Sequence, residues 1–121
     1  MIDLMIPIAS DGTIYVPAPC KGVVAEAYAV WGTNAVEAAD TIILSRSTTA
    51  VNTITAVNTA GLVVETGVPT ASSDRYLIFD PASATTANQV IKIVSAGAAG
   101  VAIVHIKFDD SSYVAQAAKE A

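Results

Sequence analysis

Apolar and polar positions alternate along most of this chain with a period of two, the spacing of a strand with one covered face. The pattern is cleanest over Gln89–Asp109. There Val90, Lys92 and Val94 fall on one face and Gln89, Ile91 and Ile93 on the other. After Ala96-Gly-Ala-Ala-Gly100 the alternation resumes, with Val101, Ile103, His105 and Lys107 opposed to Ala102, Val104, Ile106 and Phe108. Two β-rich runs around a short glycine-bearing loop predict a hairpin. Both faces are apolar near Gly100, which predicts a central strand covered on two sides.

The same period recurs upstream. Ile2, Leu4, Ile6 and Ile8 oppose Asp3, Met5 and Pro7. Pro7 cannot donate to a ladder, so this piece is either an edge strand of its own sheet or an arm lying on a partner. A terminal apolar segment suits strand addition to a neighbouring subunit. Further strands are predicted over Thr13–Val16, Gly22–Trp31, Thr41–Arg46, Val51–Val57, Leu62–Glu65 and Arg75–Phe79. Gly22–Trp31 is alanine-rich and competes with helix, but its β-branched entry, flanking glycines and aromatics favour strand. Residues 32–34 read as a turn, 35–40 as a helical turn or loop, and 66–74 and 82–88 as loops. Beyond Asp109, Ser111 or Ser112 can cap a helix through residue 121, too short to be stable without docking.

Short strands at regular spacing with turn signals between them predict an all-β, single-domain β-sandwich, jelly-roll-like in style. It divides into an extended N-terminal arm (1–9), a β body (10–109) and a short C-terminal helical tail (110–121).

Composition changes the picture in one respect. The chain of 121 residues is 53% hydrophobic and only 14% charged, against about 25% charged in typical soluble chains. A small domain with so little charge must cover its surface with Ser, Thr and Asn, with Ala, or with another protein, and the apolar surplus favours burial in an oligomer or on a larger surface. The net charge of −5, with four Lys and two Arg dispersed along the chain, argues against a nucleic-acid or membrane-surface partner. The apolar start lacks a basic leader region and nothing approaches a spanning length of about 20 residues, so a cytosol-like compartment is expected.

Candidate chemistry is sparse, and no enzyme, cofactor or metal is expected. Cys20 is the lone cysteine. It reads as a small buried or semi-exposed residue after a turn, with a reactive low-pKa thiol as the sharper alternative. His105 is the lone histidine, inside a strand between Val104 and Ile106. Nothing nearby in sequence offers the carboxylate and nucleophile that a general base needs, so it reads as a core or interface residue. Asp109 and Asp110, joined by Asp80 or Asp74, could offer oxygens to calcium, but the spacing of a calcium loop is missing. Gly97-Ala-Ala-Gly100 lacks the Lys-Ser/Thr of a phosphate loop and leads into a strand. Trp31 reads as a core or interface anchor.

Three stretches together carry a resemblance. Gly12-Thr-Ile-Tyr-Val-Pro-Ala-Pro-Cys-Lys-Gly22, Ala39-Asp-Thr-Ile-Ile-Leu-Ser45, and Asn88-Gln-Val-Ile-Lys-Ile-Val-Ser-Ala-Gly97 followed by Gly100–Phe108 resemble the capsid decoration, or cement, proteins of tailed phages. The likeness spans about residues 12–108 and rests on turn and strand composition; the alanine-rich tail departs from it. It implies a small β-sandwich that forms a homotrimer on the head exterior and braces the major capsid protein. It further implies synthesis in the host cytoplasm and residence in the virion. Residues 1–8, with Ile2, Leu4, Ile6 and Ile8, are then the expected gripping arm, and Tyr15, Tyr28 and Trp31 the candidate interface anchors. The other reading is a ligand- or receptor-binding β-sandwich of a tail or fibre, which needs exposed loop aromatics or a metal.

Overall fold

A computed structural model describes residues 1–9, 12–31, 41–55, 63–70, 77–96 and 102–110. Among the described residues nine strands form: β1 (Ile2–Ile8), β2 (Gly12–Pro17), β3 (Val23–Trp31), β4 (Thr41–Arg46), β5 (Thr49–Thr55), β6 (Val63–Thr66), β7 (Val68–Pro69), β8 (Val90–Ala96) and β9 (Ala102–Asp109). They pair, always antiparallel, into two sheets. Sheet A runs β1-β9-β3-β6 and sheet B runs β2-β8-β4-β5-β7. The all-β sandwich expected from the alternation is therefore present.

The alternation sorted the side chains of β8 and β9 into two faces, and burial shows which of them turn inward. Ile91 and Ile93 of β8, Val104, Ile106 and Phe108 of β9, and Ile42 and Leu44 of β4 are all fully buried. They pack with Trp31, Phe79, Ala27 and Ala29 into one core between the sheets. The alanines of β3 let its backbone approach the opposite layer, and Phe79 and Phe108 fill the centre with ring centroids 6.3 Å apart.

The predicted hairpin over Gln89–Asp109 does not form. β8 pairs with β2 and β4, whereas β9 lies between β1 and β3. The two strands sit in opposite sheets. Each buries its aliphatic stripe against the other layer, so they stack where ladder pairing was expected. β9 is central, as expected, but only one face is covered: Ile103 on the other is 42% exposed.

The tight hairpin is elsewhere. Arg46 pairs with Thr49, leaving Ser47 and Thr48 as a two-residue loop with Ser47 at φ 57°. A positive φ at the first loop position and not at the second, Thr48, is the signature of a type II′ turn, where glycine is preferred at the first. Ser47→Gly is expected to raise stability by about 0.5–1 kcal/mol, because it relieves a left-handed L-residue and keeps the turn. An upward shift in the urea midpoint with unchanged slope is the corresponding measurement.

The N-terminal segment is not an arm. Ile2–Ile8 is the edge strand β1, in register with β9 from Ile2↔Phe108 to Ile8↔Ala102. Ile8 is buried, and Ile2, Leu4 and Ile6 pack partly buried on the core. Their apolar stripe has a closer home than a partner: the open flank of the sandwich. The strand expected over Arg75–Phe79 is reduced, in its described part, to a single bridge between Phe79 and Gly22. Val68–Pro69, expected as loop, adds a short β7. The expectations for 32–40 and for the helical tail after Asp110 lie outside the described residues.

Two glycines mark where backbones crowd. A Cβ on Gly22 would stand 2.5 Å from the Asp109 carbonyl oxygen. At Gly67 the chain passes from β6 in sheet A to β7 in sheet B. Its N–H donates to the Ala27 carbonyl at 2.7 Å, and a Cβ there would run into the buried Asn52 side chain. Arg46 is buried too, its guanidinium donating to the Ile78 carbonyl at 3.0 Å, which ties the hairpin tip to the segment before Phe79.

Candidate functional site

The outward side chains of sheet A fall into cross-strand rows, and the pairing registers fix their members. One row is Val64–Val30–Ile103–Pro7, apolar across the full width of the sheet. The next is Thr66–Tyr28–His105–Met5, and the third is Glu26–Lys107–Asp3. The face thus grades from apolar to aromatic to charged. Val64, Met5 and Ile103 are 57%, 66% and 42% exposed, so half of the six large hydrophobic side chains found exposed lie within two adjacent rows of one face. The outer face of sheet B is more mixed. Its longest row, Thr13–Val94–Ile43–Thr53–Val68, alternates threonine with aliphatics, and Tyr15 stands opposite Lys92.

His105 sits in the middle row of sheet A. Its ring stacks on Tyr28 at 4.7 Å between centroids with the planes 26° apart, and Nδ1 shares a 2.8 Å hydrogen bond with the Tyr28 hydroxyl. Nε2 is covered, has no hydrogen-bond partner and faces the Asp3 carboxylate at 3.7 Å. With the proton on Nε2, toward Asp3, Nδ1 accepts from the tyrosine hydroxyl. Carboxylate, imidazole and hydroxyl occur in the order of a proton relay, but they lie across an open sheet face. The Asp3 contact is longer than a hydrogen bond, and the phenol is held against the ring by stacking. The trio packs the middle of the face and gives it a rigid polar centre.

Among the described residues no cluster of three or more metal-ligating side chains is present. Asp110 accepts an exposed ion pair from the Met1 amine at 3.4 Å, and Asp80 caps its own turn by accepting from the Ala82 N–H. Asp74 lies outside the described residues. Cys20 is half-buried, and burial together with the Asp110 carboxylate pushes its thiol up from the ordinary value. That is the opposite of the reactive alternative considered from sequence. Alkylation by iodoacetamide near pH 8 is accordingly expected to be slower than for free cysteine, with the rate rising at higher pH, because only the thiolate reacts. A rate equal to that of free cysteine would contradict the shift.

The residues singled out from sequence do not converge. Ile2, Leu4, Ile6 and Ile8 point into the core, and Trp31 is 1% exposed in the same interior. Tyr28 is half-buried on the outer face of sheet A, while Tyr15 is 61% exposed on sheet B. Strand period alone separates Tyr28 from Trp31, three residues apart on one strand and therefore on opposite faces. The residues missed were Val30, Val64 and Ile103; the signal for Val30 and Ile103 is an aliphatic residue on the same strand face as Tyr28 or His105, and Val64 on β6 carries no such signal. No protein family, curated protein or solved structure matches the chain.

Proposed function

We propose that this chain is a structural assembly protein of the capsid-decoration type, which self-associates as a trimer on a phage head and braces contacts between major capsid subunits. The observation that carries the reading is the unbroken apolar row Val64–Val30–Ile103–Pro7 on an outer sheet face of a chain with so few charges. Exposed apolar strips with a polar border are the mark of protein–protein contact. Strand order adds support. With β7 set aside, the order β1-β9-β3-β6 over β2-β8-β4-β5 is read here as a jelly roll wrapped from one long folded ribbon, an architecture that viral capsid domains use among others. Fold alone does not assign function; the exposed face, the low charge and the sequence resemblance together favour bracing over recognition. A receptor-binding role would draw on exposed loop aromatics, and the exposed aromatic among the described residues, Tyr15, lies on a strand.

The test uses expanded heads assembled without this protein. Added back, it is expected to co-sediment with them and to raise the temperature at which they rupture. Failure to do either would remove the proposal.

A further inference from the structure

We infer that the outer face of sheet A is the surface on which this chain meets further copies of itself. The inference rests on the self-association proposed above and names the contact that carries it.

The edges of the sheets are poor routes to assembly. β1, β2 and β7 are edge strands, and each carries a proline, Pro7, Pro17 and Pro69. A proline has no N–H for an incoming strand and is a common device for blunting an edge. β6, the remaining edge, has only four residues. An associating copy is therefore directed to a face.

The two outer faces differ. On sheet B, threonines interrupt the longest row and Lys92 stands beside the exposed Tyr15. On sheet A, the row Val64–Val30–Ile103–Pro7 has no polar member. From strand and residue spacings this face measures roughly 15–20 Å by 20–25 Å in projection. In projection that is roughly 300–500 Å², about half of the ~800 Å² that each partner contributes to a standard interface.

The occupant follows from how the rows are ordered. Apolar row meets apolar row without needing a charge on the partner. In the charged row, Lys107 lies between Glu26 and Asp3, so the signs alternate across the sheet. A second copy set level with the first and displaced by one strand brings its own acids against Lys107 and its own lysine against an acid. The face is complementary to itself.

The test is oligomeric state by light scattering on the full chain. The wild type is expected to be an oligomer. Ile103→Glu is expected to be a monomer with an unchanged far-UV spectrum, since residue 103 points outward; Tyr15→Glu on sheet B is expected to stay oligomeric. A monomeric wild type at high micromolar concentration, or an Ile103→Glu variant that keeps the wild-type mass, overturns the inference. Should Ile103→Glu fail to fold, Ile103→Cys in a Cys20→Ser background decides. A bifunctional maleimide spanning about 10 Å, the distance between packed sheets, is expected to give a cross-linked pair, and Tyr15→Cys in the same background none; equal cross-linking of both, or of neither, overturns it. These outcomes are separable from the head-binding test. An oligomer that loses its mass on Ile103→Glu yet ignores heads retains the contact and rejects the capsid role, whereas binding by an unaffected Ile103→Glu oligomer does the reverse.

Discussion

Deleting residues 1–8 is expected to leave a chain that no longer melts cooperatively. Were the segment a free arm, its loss would cost attachment and spare the body. As β1, it contributes a full edge strand to sheet A, and its Ile2, Leu4, Ile6 and Ile8 cover the core flank next to β9. Burying an aliphatic side chain of this size contributes about 1.5–3 kcal/mol when complete. One fully buried and three partly buried residues together reach roughly 5–8 kcal/mol, comparable to the whole stability of an ordinary domain at about 5–15 kcal/mol. The deletion also exposes one flank of β9 with its unpaired backbone groups. Far-UV circular dichroism through a thermal ramp is the measurement. A sharp transition within a few degrees of wild type would mean that β1 is dispensable and would reopen its use as an arm.

Gly22→Ala is the second large effect, caused by one methyl group. Gly22 exchanges two backbone hydrogen bonds with Phe79, N–H to carbonyl at 3.0 Å and carbonyl to N–H at 2.8 Å. On its other side the Cβ position meets the carbonyl oxygen of Asp109 at 2.5 Å, with the Asp109 carbonyl carbon and Asp110 Cα at 3.1 Å. The obstructing atoms are backbone, so no side chain can rotate away. Either the bridge to Phe79 opens or the end of β9 shifts, and both disturb the site where Phe79 and Phe108 meet. Overpacking of this kind costs typically about 1–3 kcal/mol, which for a domain of this size lowers the melting temperature by roughly 5–15 °C. A variant melting within about 2 °C of wild type, inside the scatter of a neutral surface change, would show that the close approach is not real.

What the sequence revealed and what it hid divide along a physical line. The period of two is local, and it separated the two faces of β8 and β9 residue by residue, Ile91 and Ile93 from Val90 and Lys92, Val104 and Ile106 from Ile103 and His105; which face turns inward depends on the opposite sheet. Strand partners are not local. The glycines between β8 and β9 promised a hairpin, yet both strands have apolar stripes equally able to stack across a core, and the three-dimensional arrangement chose stacking. Conversely, Ser47-Thr48 closes a real hairpin without the Asn-Gly or Asp-Gly pair that announces one. The candidate interaction face was hidden for a related reason. Its apolar row takes one residue from each of four strands, so no window along the chain contains it. Arg46, buried with its guanidinium on a backbone carbonyl, gave no signal either, because its partner at Ile78 is remote in sequence.

The position of β9 has a consequence in time. It lies between β1 and β3, pairing Phe108 with Ile2 and with Val24, so sheet A has no middle until nearly the whole described length of chain is present. During synthesis the amino-terminal strand must wait, unpaired, for a mate about a hundred residues later. Folding dominated by such distant encounters is slow, on the order of milliseconds to seconds, and it confers a built-in order of events. Contacts made through the outer rows of that sheet can arise only after the ribosome has released Asp109, which keeps unfinished chains out of any assembly that recognises them.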